Sequence, residues 1–242
     1  MGDNDTPLKL SVMADAERTD YHEDILPKER SVLDTIRVAT YIHQIPTAVD
    51  MIKDSHDKGY ETTLNLMAIS VVRESELDEA LEILASTEVD VIYLVDSFGA
   101  LYSEEIQALT AKYLKYAQAA GKKVGIHTHN NQQLAYANTI EALILGASYL
   151  DATIAGLGRG AGNCPLELLL GFLKNPKFHQ RPLLQCIQDH FIPLREKMPW
   201  GFDIPYMITG QLNLHPRSAM AFLDGEDKHN YVAFYDSIME EE

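Results

Sequence analysis

Short apolar runs return along this chain at intervals of roughly 30 residues, each followed by a stretch of helical character, and that spacing restricts the fold more than any other feature. The runs are LKLSVMA (8–14), IRVATY (36–41), ETTLNLMAI (61–69), VDVIYLV (89–95), KKVGIHTH (122–129) and YLDATI (149–154). Helices are expected between and after them, at about 46–58, 75–86, 103–119, 132–145 and 165–173. Pro46 suits a first helical turn, Gly59 a helix end, and Leu77, Leu81 and Leu84 fall on one helical face. The continuous apolar character of VDVIYLV fits a strand covered on both faces, as in a parallel sheet. Strict alternation of strand and helix then gives an α/β fold with helical crossovers.

Two α/β forms compete, a closed barrel and an open doubly wound sheet. Polar residues recur at the carboxyl ends of several strands: Asp15, His43, Asn65, Asp96, His129 and the loop after Thr153. Contributions from so many strands favour a TIM (β/α)8-type barrel, because an open sheet concentrates its site at one switch point. Only about six βα units are present, two short of closure. The expectation is therefore an incomplete barrel over residues 1–174, with a C-terminal helical extension over 175–242 packed on it. In the extension, 182–197 reads as one helix, and Pro199, Pro205 and Pro216 divide the remainder into short pieces.

With 242 residues, 46% hydrophobic and 23% charged, the composition is that of a soluble globular domain. The start MGDNDTPLKL lacks a basic n-region and apolar core, so no secretory signal is expected and the location expected is cytoplasmic. Cys164 and Cys186 are too few and too far apart for a zinc knuckle or a disulfide framework. A formal charge of −16 argues against nucleic acid and anionic membrane as partners, which need clustered Lys and Arg. Part of it is a solvated end, with seven acids against one lysine from Asp224 to Glu242.

The chemistry-bearing stretch is Lys122–Glu167. In a strand, His127 and His129 point to one side and Ile126 and Thr128 to the other, so two imidazoles converge at a strand's carboxyl end. About one βα unit later Asn163 closes the loop Gly156–Gly162, and its side-chain carbonyl would complete a nitrogen and oxygen set for a divalent ion with open positions. A structural or surface histidine pair is the competing reading, since imidazoles also satisfy themselves on backbone and water. Asn130 and Asn131 are placed to cap the next helix. Arg37 and Asp96 are candidate substrate-binding residues, against a structural ion pair and a loop cap respectively. Arg159 holds a carboxylate or stands in solvent, and Cys164 reads as a small packed residue. The G-x-G-x-G spacing of Gly158, Gly160 and Gly162 fits no nucleotide fingerprint.

Three segments, VDSFG (95–99), GIHTHNNQQLAYANTIEALILGA (125–147) and DATIAGLGRGAGNCPLELLL (151–170), resemble the metal-dependent TIM-barrel lyases and Claisen-type synthases. That HMG-CoA lyase-like superfamily, with its pyruvate carboxyltransferase domain, includes 4-hydroxy-2-oxovalerate aldolase, HMG-CoA lyase and the homocitrate and isopropylmalate synthases. IRVAT (36–40) is similar to the fourth strand of the aldolase branch, and WGFDIPYMITGQLN (200–213) resembles members described only as aldolase catalytic domain proteins. The resemblance covers about Leu8 to Leu173. It implies His127 and His129 as ligands of a divalent ion, Mn²⁺ or Mg²⁺ with Zn²⁺ or Co²⁺ as alternatives, and Asn163 as a ligand or neighbour. It also implies a 2-oxo acid chelated by the ion and cleaved through the enolate of pyruvate. The superfamily's remaining aspartate ligand and its enolate-stabilising arginine belong to an Arg-Asp-Gly segment that this chain lacks, which leaves no catalytic residue assigned. Its first two βα units are expected to be absent here and activity to be impaired. A Claisen-type acyl-CoA synthase, a non-catalytic partial barrel and an open sheet binding a small ligand are the alternatives. An unclosed barrel leaves strand edges bare, so homo-oligomerisation is a further expectation.

Overall fold

Six strands lie side by side in the order in which the chain makes them: β1 (Ser11–Asp15), β2 (Thr35–Thr40), β3 (Glu61–Leu66), β4 (Val91–Asp96), β5 (Lys123–Thr128) and β6 (Tyr149–Leu150). The computed structural model describes residues 6–241. The strands are parallel, with Ser11 opposite Thr35, Thr35 opposite Glu61 and Thr63 opposite Val91 in the first three pairs. Sequential order without reversal leaves no switch point, so the arrangement is that of a barrel wall stopped at six strands. The helices are α1 (Tyr21–Asp24), α2 (Ile45–Asp57), α3 (Glu74–Ala85), α4 (Ser103–Ala119), α5 (Ala135–Leu145) and α6 (Leu166–Leu173). Five more come after them: α7 (Gln180–Cys186), α8 (Ile192–Lys197), α9 (Ile204–Gln211), α10 (Arg217–Asp224) and α11 (Tyr231–Glu241). None of the described helices is long and apolar enough to cross a membrane.

Cα proximity divides the chain into two compact units. One runs through Val95 and resumes at Gln107–Ile126 and Leu145–Tyr149. Its order comes from periodic apolar residues. Every residue of β4 is buried, as expected for a strand covered on both faces. In α2 the buried positions are Ile45, Ala48, Met51, Ile52 and Ser55, and in α3 they are Leu77, Ala80, Leu81 and Leu84, each a single helical stripe. Each fully buried leucine contributes about 1.5–3 kcal/mol. At the sheet's border Val12 and Met13 of β1 are 42% and 50% exposed, although they point to opposite faces.

The second unit takes Asp96–Ile106, His127–Ile144 and the chain from Leu150 onward, including α5 to α11. Two boundaries here differ from the sequence expectation. The strand expected over 149–154 ends at Leu150, because the chain folds back so that Thr153 N–H donates to Cys164 O at 3.0 Å instead of extending a ladder. The helix expected from 132 begins at Ala135. Gln132 spends its amide on the carbonyls of Gly99 and Ala100, and Gln133 takes a left-handed φ of 60°. Asn130 Oδ1 accepts from Ala135 N–H, as a cap, but Asn131 is buried. The helix expected over 182–197 is present as α7 and α8, joined by a π-helical turn at Ile187–Phe191.

Candidate functional site

Side-chain alternation along β5 builds the site. Ile126 and Thr128 are buried, and Thr128 Oγ1 donates to Ala135 O at 3.0 Å, toward α5. His127 and the following His129 therefore share the opposite face, with ring centroids 5.2 Å apart at an interplanar angle of 73°. Asn163 is brought to the pair by an isolated antiparallel bridge to His129. Its Nδ2 donates to Leu157 O at 3.2 Å, whereas its Oδ1 is buried and accepts from no donor among the described residues. A buried carbonyl oxygen left so costs about 1–3 kcal/mol, which a cation would offset. His127, His129 and Asn163, the three residues singled out in the sequence, thus adjoin one another.

The protonation states suit that use. Asp151, just past β6, has Oδ2 at 2.9 Å from His127 Nδ1. The carboxylate accepts, so Nδ1 carries a proton and Nε2 is the ring nitrogen left for another partner, with Asp151 fixing the ring's orientation. Burial lowers the pKa of His129 to about 3, and the Arg159 guanidinium adds to that effect, so its ring is neutral near pH 7. Neutral rings hold the lone pair that ligation needs. On these observations two imidazoles and an amide oxygen fit a divalent cation. Among the described residues no three of His, Cys, Asp and Glu form a group that could hold a metal ion, so the third donor of such a set would have to be Asn163.

The glycine loop is shaped to hold Asn163. A Cβ on Gly158 would fall 2.6 Å from Asn163 Nδ2, and Gly162, at φ +84°, passes so close to Gly156 that a Cβ would overlap its carbonyl oxygen. Asn163 N–H closes the loop on Gly156 O at 3.0 Å, and Asn130 N–H ties Gly162 O to the histidine strand at 2.8 Å. The C-terminal segment pins the same loop from outside. Trp200 Nε1 donates to Ala155 O and Gly201 N–H to Gly160 O, both at 3.0 Å.

Asp96 ends β4 with its side chain buried, Oδ1 accepting from Ala100 N–H at 3.0 Å. Burial pushes its pKa up to about 7, against the pull of backbone N–H groups at Ala100, Leu101 and Gly99. Arg37 belongs to the other unit, where its guanidinium lies 4.7 Å from the centre of the Tyr93 ring. Arg159 Nη2 donates to Ser97 O at 3.0 Å. Cys164 is packed with Ala135 and Leu169, and burial raises its thiol to about 11, as fits an inert packed residue. Asp151, beside His127, escaped the sequence reading although it lies within the run YLDATI that follows the histidine strand. His215, whose ring meets Phe98 near the end of β4, had no signal at all.

A family model described as HMGL-like matches residues 36–189. The 4-hydroxy-2-oxovalerate aldolase of Thermus thermophilus is 37% identical over 169 residues, 68% of this chain and 48% of that one. The oxaloacetate decarboxylase of Mycobacterium tuberculosis is 32% identical over 143 residues, 59% of this chain and 41% of that one. The solved N-terminal domain of a Bacteroides vulgatus protein, provisionally described as an aldolase, gives a TM-score of 0.76 at 29% identity over 94% of this chain and 77% of its own. The chain spans about half the length of the first two curated relatives it matches.

Proposed function

The chain belongs to the HMGL-like family, and from that premise we propose that it is a divalent-metal-dependent carbon–carbon lyase acting on a small 2-oxo acid, of the 4-hydroxy-2-oxovalerate aldolase type. The observation that carries the reading is the buried Oδ1 of Asn163, lacking a donor among the described residues, beside two imidazoles. The substrates named by two relatives support it chemically: breaking the C3–C4 bond of either 2-oxo acid leaves the enolate of pyruvate. When bound, the ion supplies Lewis acidity at the keto oxygen, where negative charge develops.

The chain's own residues then divide the work. His127 is held by Asp151 with its Nε2 left for another partner, His129 contributes a ring kept neutral by burial, and Asn163 contributes oxygen. Two nitrogen ligands without a carboxylate tilt the preference from Mg²⁺ toward Mn²⁺, Co²⁺ or Zn²⁺. Asp96 positions the loop after β4 through its backbone bonds, and Arg37 braces β2 against Tyr93, so we assign neither to substrate. The test is calorimetric Mn²⁺ binding by wild type, His127→Ala, His129→Ala and Asn163→Ala, followed by pyruvate release from 4-hydroxy-2-oxovalerate. Each imidazole substitution is expected to weaken binding at least about tenfold, as loss of a ligand should. Undiminished affinity in the two histidine variants would sink the metal reading.

A further inference from the structure

Three consecutive residues from the end of β4 onward, Asp96, Ser97 and Phe98, each receive a group from a different part of the second unit. His129 N–H donates to Asp96 O at 3.2 Å, Arg159 Nη2 donates to Ser97 O at 3.0 Å, and the His215 ring packs edge-on against Phe98 with centroids 5.4 Å apart. His215 lies beyond the matched family segment, which ends at residue 189. Its tautomer is fixed. Arg217 N–H donates to His215 Nδ1 at 3.1 Å, so the neutral ring carries its proton on Nε2 and presents a donor there.

We infer that Arg159 and His215 form a carboxylate-binding subsite beside the two histidines, and that within the proposed 2-oxo acid reading it favours acids bearing a second carboxylate over monocarboxylic ones such as 4-hydroxy-2-oxovalerate. A 2-oxo acid offers its keto and first carboxylate oxygens to an ion, so an anionic group farther along the substrate would meet these two side chains. The charged groups that act on His215 are the guanidiniums of Arg159 and Arg217, in a chain with 36 acids against 20 lysines and arginines. Two guanidiniums bearing on one imidazole make a local positive field in an otherwise acidic protein, an electrostatic seat for an anion. Burial and those two cations also lower the pKa of His215, so it serves as a neutral N–H donor while Arg159 supplies the charge.

The inference rests on the proposed 2-oxo acid reading, and the experiment separates the two. Calorimetry of the full chain with Mn²⁺ measures the affinities of pyruvate, with one carboxylate, and 2-oxoglutarate, with two. Wild type is expected to prefer 2-oxoglutarate by at least about tenfold, the effect of a charge-assisted pair. His215→Asn keeps an acceptor for Arg217 N–H but loses the Nε2 donor, and should abolish most of the preference while leaving Mn²⁺ and pyruvate affinities within about twofold. His215→Gln, which restores an N–H near the Nε2 position, should recover part of it, and thermal melts of both variants confirm folding. Equal weakening of both acids, or an undiminished preference in His215→Asn, overturns the subsite while the metal reading stands. Wild type that binds Mn²⁺ and pyruvate without preferring 2-oxoglutarate does the same. Failure of wild type to bind Mn²⁺ or either acid overturns both.

Discussion

The unit that runs through Val95 and the unit that carries the histidines are ordered by different interactions. In the first, apolar faces repeat at helical or strand period, and each stripe finds its cover: Leu77, Leu81 and Leu84 in α3, Ala48, Met51 and Ile52 in α2, all of β4. In the second, the site is held by side-chain and backbone hydrogen bonds between residues far apart in sequence: Trp200 to Ala155, Gly201 to Gly160, Asn130 to Gly162, His127 to Asp151. Apolar burial is non-directional and tolerates repacking, whereas hydrogen bonds fix atoms to within tenths of an ångström. A loop that must hold Asn163 beside His129 needs the latter.

Substitutions in the two units should therefore fail differently. The largest effect is expected from Gly162→Ala, which combines a strained φ with overlap on the Gly156 carbonyl. It should cost about 2–6 kcal/mol in urea unfolding and abolish Mn²⁺ binding together with stability. Leu81→Ala, at a fully buried core position, should cost about 2–5 kcal/mol yet leave Mn²⁺ affinity within about twofold wherever the variant is folded. If Leu81→Ala loses metal in step with stability, the units are not separately ordered.

A smaller effect is pH dependence in the metal-free chain. Asp96 has a folded pKa of about 7 against 3.8 when free, so its contribution to stability is full below about pH 4 and lost as pH rises through 7. His129 runs the other way, about 3 against 6.5, so its contribution is present above pH 6.5 and lost as pH falls. Between these limits the slopes oppose and wild type should change little. Asp96→Asn keeps a carbonyl oxygen for Ala100 N–H and unmasks the histidine slope, up to about 1.4 kcal/mol per pH unit. Urea midpoints from about pH 4.5 to 6.5 measure it, and a flat Asp96→Asn profile would show that His129 stays wet enough to titrate normally.

The same contrast explains what could be read in advance. The six strands and α2 to α6 were legible because burial imposes a period, and the opposition of His127 and His129 to Ile126 and Thr128 came from strand alternation alone. Asn163 was legible because it closes a glycine loop one βα unit after the histidines. The early end of β6 was not, since nothing in YLDATI announces that Thr153 N–H will turn to Cys164 O. Nor was the displaced start of α5, which depends on where Gln132 finds two carbonyls. Arg37 stood as a substrate candidate or a structural ion pair, and nothing in the sequence announces that the Tyr93 face meets it. Long-range polar partners have no period, and His215 is the extreme case.

The border strand β1 has a consequence for handling. Val12 and Met13 are exposed there, as are Leu8 and Leu10 just before it, and among the described strands only β2 pairs with it, so its outer rim is a ready template for any extended peptide. Opposing that short-range stickiness is a long-range repulsion from sixteen net negative charges. Because the repulsion reaches roughly 30 Å at 0.01 M ionic strength but only about 3 Å at 1 M, dilute buffer is the medium in which concentrated samples should stay clear.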